Sequence, residues 1–365
     1  MKKKENRDSQ KFLLIDIGTG TRDIMLFSDS SALENNSKIV APTASRMLAK
    51  QIENVKADLR IAGHTMGGGP LSSALNNHLK HGFKISIEPE AAFTVRNNLA
   101  QVEQLGFEVC PKIPNPDFFF DEIELPKLMK IFNDMGDSCE NLINIGLSVQ
   151  DHGDHAADQS ARRQRFDNFI KLLGKTPDLR SLVFTPDTLP SMFSRMRSGV
   201  RCICRLIPDA RIILMDTCIS AIAGCIFDSR LKSFSGPNLF VNFGNGHTLA
   251  CVIEGTRILA IYEHHTSMIK DQPGLINDHL KRLVEGNLSF EEVYESGGHG
   301  CKTFYPMSFN KLTSHIVTGP QRSISSRLLI DFFPAAPGGD MMMTGPLGLL
   351  RGFDLVKGDE NEQIF

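Results

Sequence analysis

Short apolar runs set the first pattern in the chain. In residues 11–29, KFLLIDIGTGTRDIMLFSD, four apolar positions end at Asp16, and a second, largely apolar run follows a turn that contains Gly18 and Gly20. Apolar runs of this length on either side of a glycine turn are typical of a β-hairpin. Glycine lets a turn come close to a ligand, and successive N–H groups that point to one place bind phosphate. The pattern therefore predicts either a phosphate-binding hairpin or an ordinary one.

The hairpin pattern occurs a second time. Residues 239–253, LFVNFGNGHTLACVI, again contain a short apolar run, a turn with two glycines and an apolar return. A shift of 226 positions superimposes the two turns, with Asp16 on Asn242, Gly18 on Gly244, Gly20 on Gly246 and Thr21 on His247. Two copies of one phosphate-binding hairpin predict two related lobes that face a single nucleotide.

Strands and helices alternate around the two hairpins. Apolar runs predict strands at residues 59–62, 142–149 and 211–215, and helical spacing predicts helices at residues 43–56, 71–81 and 219–227. This alternation is typical of an α/β protein. We place a lobe boundary near residue 206, which gives an N-terminal lobe of residues 1–205 with the first hairpin. The C-terminal lobe, residues 206–365, then contains the second hairpin.

Length and composition agree with this organisation. The chain has 365 residues, which suits two domains of ordinary size. Its 40 basic and 42 acidic residues nearly cancel, so no nucleic-acid partner is expected. The eight cysteines lack the spacing of a disulfide framework, which is typical of a reduced, cytoplasmic protein. Neither a signal peptide nor a membrane span is expected, because the apolar runs are too short.

A further group of polar residues follows the strand predicted at residues 142–149. The carboxyl end of a strand is where α/β folds place ligands. Gln150 or Asp151 could orient an attacking water molecule or accept a proton. Alternatively, His152, Asp154 and His155 could bind a metal ion, or the loop could be a solvated polar loop. The glycine loop GHTMGGGP, residues 63–70, is open to a structural or a ligand-binding reading in the same way.

The two hairpins resemble the phosphate-1 and phosphate-2 motifs of the actin-like ATPase superfamily. This superfamily includes actin, the heat-shock chaperone ATPases, hexokinases and other sugar kinases, and acetate kinases. The resemblance implies an α/β, two-lobed actin-like ATPase (ribonuclease H-like) fold, with ATP and Mg²⁺ as cofactors. Asp16 would contact Mg²⁺, through water because this ion gives up its hydration shell reluctantly. Gln150 or Asp151 would be the base or the water-orienting group.

The same resemblance implies a set of nucleotide-binding residues. The phosphates would be held by the two turns, at Gly18, Thr19, Gly20, Thr21, Gly244, Asn245, Gly246, His247 and Thr248. Gly345 and Pro346 would lie against the adenosine. Two positions depart from the superfamily pattern, since Asn242 replaces a carboxylate and His247 stands where glycine or threonine is common. We therefore expect nucleotide binding more firmly than catalysis.

The whole chain looks similar to a prokaryotic family labelled pyruvate formate-lyase activating enzyme, through IDIGTGT, GHTMGGGP, VQDHG and TGPLG. That label would imply a radical S-adenosylmethionine enzyme with a cubane iron–sulfur cluster, held by a C-x₃-C-x₂-C triplet. No such triplet occurs, since Cys202 and Cys204 are separated by one residue and Cys218 lies well beyond. We therefore reject this chemistry for the chain.

Three functions remain open from the sequence. The first is a kinase or ATPase that acts on a small-molecule acceptor. The second is a nucleotide-dependent binding or assembly protein with slow hydrolysis. The third is a metal-dependent hydrolase centred on His152, Asp154 and His155. We expect a cytoplasmic protein with a small-molecule partner, without a nucleic-acid or membrane partner, and with a homodimer as one option.

Overall fold

A computed structural model describes residues 9–153, 160–231 and 236–357. The described residues form sixteen strands: β1 (Lys11–Ile17), β2 (Thr21–Ser28), β3 (Ser37–Pro42), β4 (Leu59–Gly63), β5 (Ile85–Ile87), β6 (Glu108–Val109), β7 (Phe118–Phe120), β8 (Asn144–Val149), β9 (Val183–Phe184), β10 (Arg211–Met215), β11 (Asn238–Phe243), β12 (His247–Glu254), β13 (Arg257–His265), β14 (Gly298–Thr303), β15 (Ser314–Thr318) and β16 (Phe333–Pro334).

The same ranges contain twelve α-helices: α1 (Ala44–Glu53), α2 (Gly69–Lys80), α3 (Pro89–Ala92), α4 (Leu99–Gln104), α5 (Leu125–Asp134), α6 (Ala161–Leu173), α7 (Ser194–Leu206), α8 (Thr217–Gly224), α9 (Thr266–Ile269), α10 (Pro273–Glu285), α11 (Phe290–Glu295) and α12 (Thr344–Lys357). Within these ranges, no helix combines the length and the apolar character that a membrane span needs.

Two six-stranded sheets have the same plan. The first has the order β3-β2-β1-β8-β10-β9, and the second has the order β14-β13-β12-β11-β15-β16. Each contains an antiparallel meander, β1 to β3 or β11 to β13, whose first strand also pairs in parallel with a later strand, β8 or β15. This duplicated order confirms the two-lobed actin-like ATPase (ribonuclease H-like) fold and both predicted hairpins.

The first sheet extends past residue 206, where we placed the lobe boundary. Strand β10, which we expected in the second lobe, pairs in parallel with β8 of the first sheet. The physical reason is that a strand which follows a crossover helix, here α7, commonly returns beside the preceding parallel strand. Helix α8 lies between the two sheets, because it contacts β1 and β8 of the first sheet as well as β11 and β12 of the second.

A third sheet lies between β3 and β8 in the chain. Its four strands are all parallel, in the order β6-β5-β4-β7. Strand β4 leads through the loop GHTMGGGP into α2, as the sequence predicts. This inserted unit has its own apolar core, in which Ile61, Leu75 and Phe120 are fully buried.

The two lobes share one apolar core. Phe12 of the first sheet, Phe240 of the second and Leu347 of α12 belong to a single cluster of buried side chains. Helix α12 contacts β1, β8 and β10, and its most extensive contact is with α8. Both hairpins are therefore fixed to the same α8–α12 pair.

Candidate functional site

The two glycine turns face each other across one cleft. An ideal Cβ atom placed on Gly20 would lie 2.6 Å from Nδ2 of Asn245, and one placed on Gly246 would lie 2.8 Å from Oγ1 of Thr19. A Cβ atom at either position would displace the side chain of Asn245 or Thr19, so glycine permits the close approach of the two turns. The two turns that correspond to each other in the sequence repeat are therefore in direct contact.

The two turns together line a narrow cavity of about 70 Å³. Most of the residues predicted to hold the nucleotide line it: Gly18, Thr19, Gly20, Thr21, Gly244, Asn245, Gly246 and His247. Thr248 does not line the cavity. Its buried hydroxyl group instead lies 3.0 Å from the hydroxyl group of Thr266. Asp16, Asn242 and Gln150 are also part of the lining.

Asp16 is buried at the end of β1, where the sequence places it. Its Oδ1 accepts a hydrogen bond of 2.6 Å from the hydroxyl group of Ser148 on β8. Burial raises the pKa of Asp16 to about 6, against hydrogen bonds from Ser148 and Thr217 that lower it. A cation beside this carboxylate would favour its ionised form.

Asp23 lies opposite Asp16 and was missed at the sequence level. The two residues are direct partners in the β1–β2 pair, and both line the narrow cavity. Oδ1 of Asp23 is buried without a hydrogen-bond partner among the described residues. Burial, followed by the charge of Asp16, raises the pKa of Asp23 to about 8. Hairpin register could have found this residue, because Asp16 and Asp23 are equidistant from the turn.

Gly345 and Pro346 occupy a different place from the other predicted nucleotide ligands. Gly345 packs directly on the carboxylate of Asp16, and a Cβ atom there would overlap it. Pro346 is buried in the first turn of α12. The narrow cavity is instead lined by Gly319 and Pro320, which follow β15. The tripeptide Thr-Gly-Pro occurs at residues 318–320 and 344–346, so the sequence held a second candidate.

Gln150 separates the narrow cavity from a wide one of about 960 Å³ and lines both. Its amide nitrogen lies 3.1 Å from Nε2 of His152 and makes a short contact with Nδ1 of His247. The carboxylate of Asp151 instead accepts backbone hydrogen bonds of 3.0 Å from Gly153 and Met196. Asp151 therefore fixes the local backbone, whereas Gln150 reaches both cavities.

The wide cavity is bordered by both turns, the GHTMGGGP loop and several polar side chains. Arg195 lies on its wall and is held by Glu122, with 2.7 Å between Nε and Oε2. Six residues line both cavities, namely Gly18, Thr19, Gln150, Asn245, Gly246 and His247. The two cavities therefore meet at the glycine turns.

A buried ion triad joins the lobes behind this site. Arg165 of α6 is 2.8 Å from a carboxylate oxygen of Asp216 and 2.8 Å from one of Glu263 on β13. Asp216 also caps α8, because its carboxylate accepts a hydrogen bond from the backbone N–H of Cys218. The pairing with Arg165 had no local signal, since the three residues come from distant segments.

The predicted metal-binding loop is described only in part. His152 lies near His247, with 6.0 Å between ring centroids. Asp154 and His155 lie outside the described residues.

The cysteines do not form an iron–sulfur site. All eight are free and lie within the described ranges, and no group of three metal-binding side chains there includes a cysteine. Burial also raises the pKa of the thiols of Cys218, Cys225 and Cys251, which disfavours the thiolate that a cluster requires. These thiols therefore do not fit the cluster that an activating enzyme would use.

Several solved structures are similar to this chain. The activator of the 2-hydroxyisocaproyl-CoA dehydratase from Clostridium difficile, with bound ADPNP, shares 8% identity over 97% of this chain and 98% of that chain, with a TM-score of 0.37. MreB 5 of Spiroplasma citri, bound to AMPPNP, shares 10% identity over 96% and 98%, with a TM-score of 0.35. The inorganic polyphosphate/ATP-glucomannokinase from Arthrobacter sp. strain KM shares 10% identity over 95% and 99%, with a TM-score of 0.33.

These identities and TM-scores are low, whereas the duplicated strand order of the two six-stranded sheets shows the fold directly. A search of curated proteins finds no match. A family model does match residues 66–324, which is well over half of the chain. The chain belongs to the family described as "Putative pyruvate format-lyase activating enzyme (DUF1786)".

Proposed function

We propose that this protein binds Mg²⁺-ATP between its two glycine turns and transfers a phosphoryl group to a small molecule in the wide cavity. The observation that carries the proposal is that the two turns are in direct contact and line one cavity together with a pair of buried carboxylates. Opposed N–H-rich turns suit a triphosphate, and the actin-like ATPase fold provides two lobes that can enclose it.

Asp16 and Asp23 would hold the magnesium ion. The fit is supported by the unpartnered Oδ1 of Asp23 and by the raised pKa of both carboxyl groups, because each calls for a nearby cation. When bound, Mg²⁺ would neutralise phosphate charge. The turns would bind phosphate through backbone N–H groups and through the hydroxyl groups of Thr19 and Thr21.

The position of Gln150 supports transfer between the two cavities. Phosphoryl transfer needs little covalent chemistry from the protein, but it needs the acceptor to be aligned with the terminal phosphate. Gln150 lines both cavities at the point where the turns meet, and it would orient an acceptor hydroxyl group or a water molecule there. The volume of the wide cavity, about 960 Å³, suits a small-molecule acceptor.

Calorimetric titration of the full chain with ATP, with and without Mg²⁺, tests the binding step. We expect micromolar to millimolar affinity that depends on Mg²⁺ and is lost in Asp16→Ala and in Gly244→Val. Asp29→Ala is a matched control, because Asp29 is an exposed aspartate at the opposite end of the same hairpin. No detectable binding of ATP to the unchanged chain under either condition would refute the proposal.

A turnover assay over candidate acceptors tests the transfer step. We expect ADP release that increases with one class of acceptor and decreases in Gln150→Ala. ATP binding without any acceptor-dependent turnover would instead favour a nucleotide-dependent assembly protein.

A further inference from the structure

Three histidine side chains meet on the wall between the second glycine turn and the wide cavity. His247 begins β12, His265 ends β13, and His299 lies on the neighbouring strand β14. His247 and His265 are direct partners in the β12–β13 pair. One ring nitrogen from each of the three residues lies within 4.8 Å of the other two. The ring centroids of His299 are 4.6 Å from those of both other residues.

Within the described ranges, His299 lacks the hydrogen bonds that a buried imidazole normally makes. Its side chain is 0% exposed, and neither ring nitrogen has a partner among the described residues. Buried polar groups in folded proteins are nearly always paired, so a fully orphaned imidazole points to a ligand. The ring faces His247 and His265, and the missing partner therefore belongs at the centre of the three rings.

The electrostatic environment keeps these rings neutral. Burial, followed by nearby positive charge, lowers the pKa of His247 and of His299 far below the ordinary histidine value. Burial lowers the pKa of His265 as well. Neutral imidazole is the form that coordinates a metal ion. Arg165 is one source of this positive charge, and its ion pairs with Asp216 and Glu263 offset part of that charge beside the cluster.

We propose that His247, His265 and His299 together bind one divalent transition-metal ion of the zinc class. Three imidazole nitrogens suit Zn²⁺, Co²⁺ and similar ions, whereas Mg²⁺ prefers oxygen ligands. This site is therefore separate in chemistry from the carboxylate pair of Asp16 and Asp23, although His247 borders both cavities.

The remaining coordination position faces the wide cavity. His247 and His265 both line that cavity, whereas His299 lies behind them. Three protein ligands with an open fourth position are typical of zinc sites that bind water or a substrate oxygen. The metal ion would therefore anchor an oxygen ligand, such as a carboxylate or phosphate group, of a molecule in the wide cavity.

Titration of the tag-free, chelator-treated full chain with Zn²⁺, in the absence of nucleotide, tests the proposal. We expect one Zn²⁺ ion per chain by calorimetry, and with Co²⁺ a visible absorption band of a nitrogen-rich site. Removal of a direct ligand in His299→Ala or His265→Ala should weaken Zn²⁺ binding by more than about 100-fold, since loss of an outer partner already costs roughly 10–100-fold. His81→Ala, at an exposed histidine far along the chain, should bind as the unchanged protein does.

Thermal unfolding of the same proteins separates ligand loss from misfolding. Zn²⁺ should raise the Tm of the unchanged chain and of His81→Ala, but not that of the two cluster variants. His265 is partly exposed, so His265→Ala keeps the test valid if His299→Ala does not fold. The proposal is overturned if the unchanged chain binds no Zn²⁺, or if His265→Ala binds it as tightly as the unchanged chain.

Discussion

Asp23 shows how a single residue can be unfavourable for the fold and useful for the site. Its carboxyl group is buried opposite Asp16, one oxygen has no partner among the described residues, and its pKa is raised to about 8. A buried group of this kind lowers the stability of the protein unless a cation binds beside it. The proposed magnesium ion would supply that cation.

Asp23→Asn should therefore stabilise the ligand-free protein and weaken its response to magnesium. Each unit of a pKa shift corresponds to about 1.4 kcal/mol, so we expect the free energy of unfolding at neutral pH to rise by roughly 2–4 kcal/mol. Urea unfolding measures this change, and calorimetry should show weaker Mg²⁺-dependent ATP binding in the same variant. A less stable Asp23→Asn protein would contradict this account.

The pKa of Glu90 is shifted in the direction opposite to that of Asp23. Burial is the largest single influence on the pKa of its carboxyl group, and it favours the protonated form. Hydrogen bonds from His64, Arg201 and Ser198 together outweigh burial and lower the pKa of Glu90 to about 2. Because the folded pKa lies below the ordinary value of 4.5, the ionised group contributes stability above pH 4.5. This contribution is lost as the pH falls from 4.5 towards 2.

The Glu90→Gln variant should reveal that contribution. Solvent weakens ion pairs that are partly exposed. We therefore expect the free energy of unfolding of Glu90→Gln to be only about 1 kcal/mol lower than that of the unchanged protein at neutral pH. The difference from the unchanged protein should shrink as the pH is lowered through this window in urea unfolding. Glu103→Gln, at an exposed position of the same inserted unit, serves as the control. A difference between Glu90→Gln and the unchanged protein that does not vary with pH would rule out the ion pair as its source.

At the scale of elements, the contact between α8 and α12 fixes the position of the site. A Cβ atom on Gly348 would overlap the backbone of Ser220, and one on Gly224 would overlap that of Thr344. The hydroxyl group of Ser220 donates a 2.7 Å hydrogen bond to the carbonyl oxygen of Gly345, which in turn packs on Asp16. The close approach of these helices therefore sets the surroundings of a proposed magnesium ligand.

Gly348→Ala should separate the two helices and destabilise the protein. Overpacking of a close contact costs about 1–3 kcal/mol, and a backbone neighbour leaves little room for relaxation, so we expect the upper part of that range. Gly274→Ala in α10 is a matched control, because no atom beyond the chain neighbours and the backbone of the same helix lies within 4 Å of the added methyl group. Thermal melts of both variants provide the measurement, and equal Tm values would contradict the packing argument.

At the scale of the whole molecule, the lobes are closed on each other. The narrow cavity of about 70 Å³ is far below the roughly 300–1,000 Å³ of common ligand pockets. A nucleotide held within the narrow cavity, as proposed, would therefore require the two turns to separate. Gly20 and Asn245 are in contact across the closed cleft, so a link between them would hold it shut.

The double variant Gly20→Cys with Asn245→Cys tests this opening. The predicted disulfide should abolish ATP binding in the oxidised protein, and a reducing agent should restore binding. The single variant Gly20→Cys, treated in the same way, controls for the substitution and for the eight natural cysteines. Equal ATP affinity of the oxidised and reduced double variants would show that the turns do not need to separate.

The sequence by itself determined the two hairpins, their repeat and most of the residues at the cleft. A hairpin is local, since its strands are adjacent in the chain and its register follows from the turn, so Asp16, the paired glycines and His247 could be placed without a structure. The α/β class followed from periodicity for the same reason.

Only the tertiary structure decided which distant segments meet. Three findings depend on non-local strand pairing. They are the place of β10 in the first sheet, the presence of Gly319 instead of Gly345 at the narrow cavity, and the approach of His299 to His247 and His265. Such pairing is set by burial across the whole core, and residues far apart in the chain carry no local signal of it. For this reason, the carboxylates and the turns could be predicted from the sequence, whereas the histidine cluster could not.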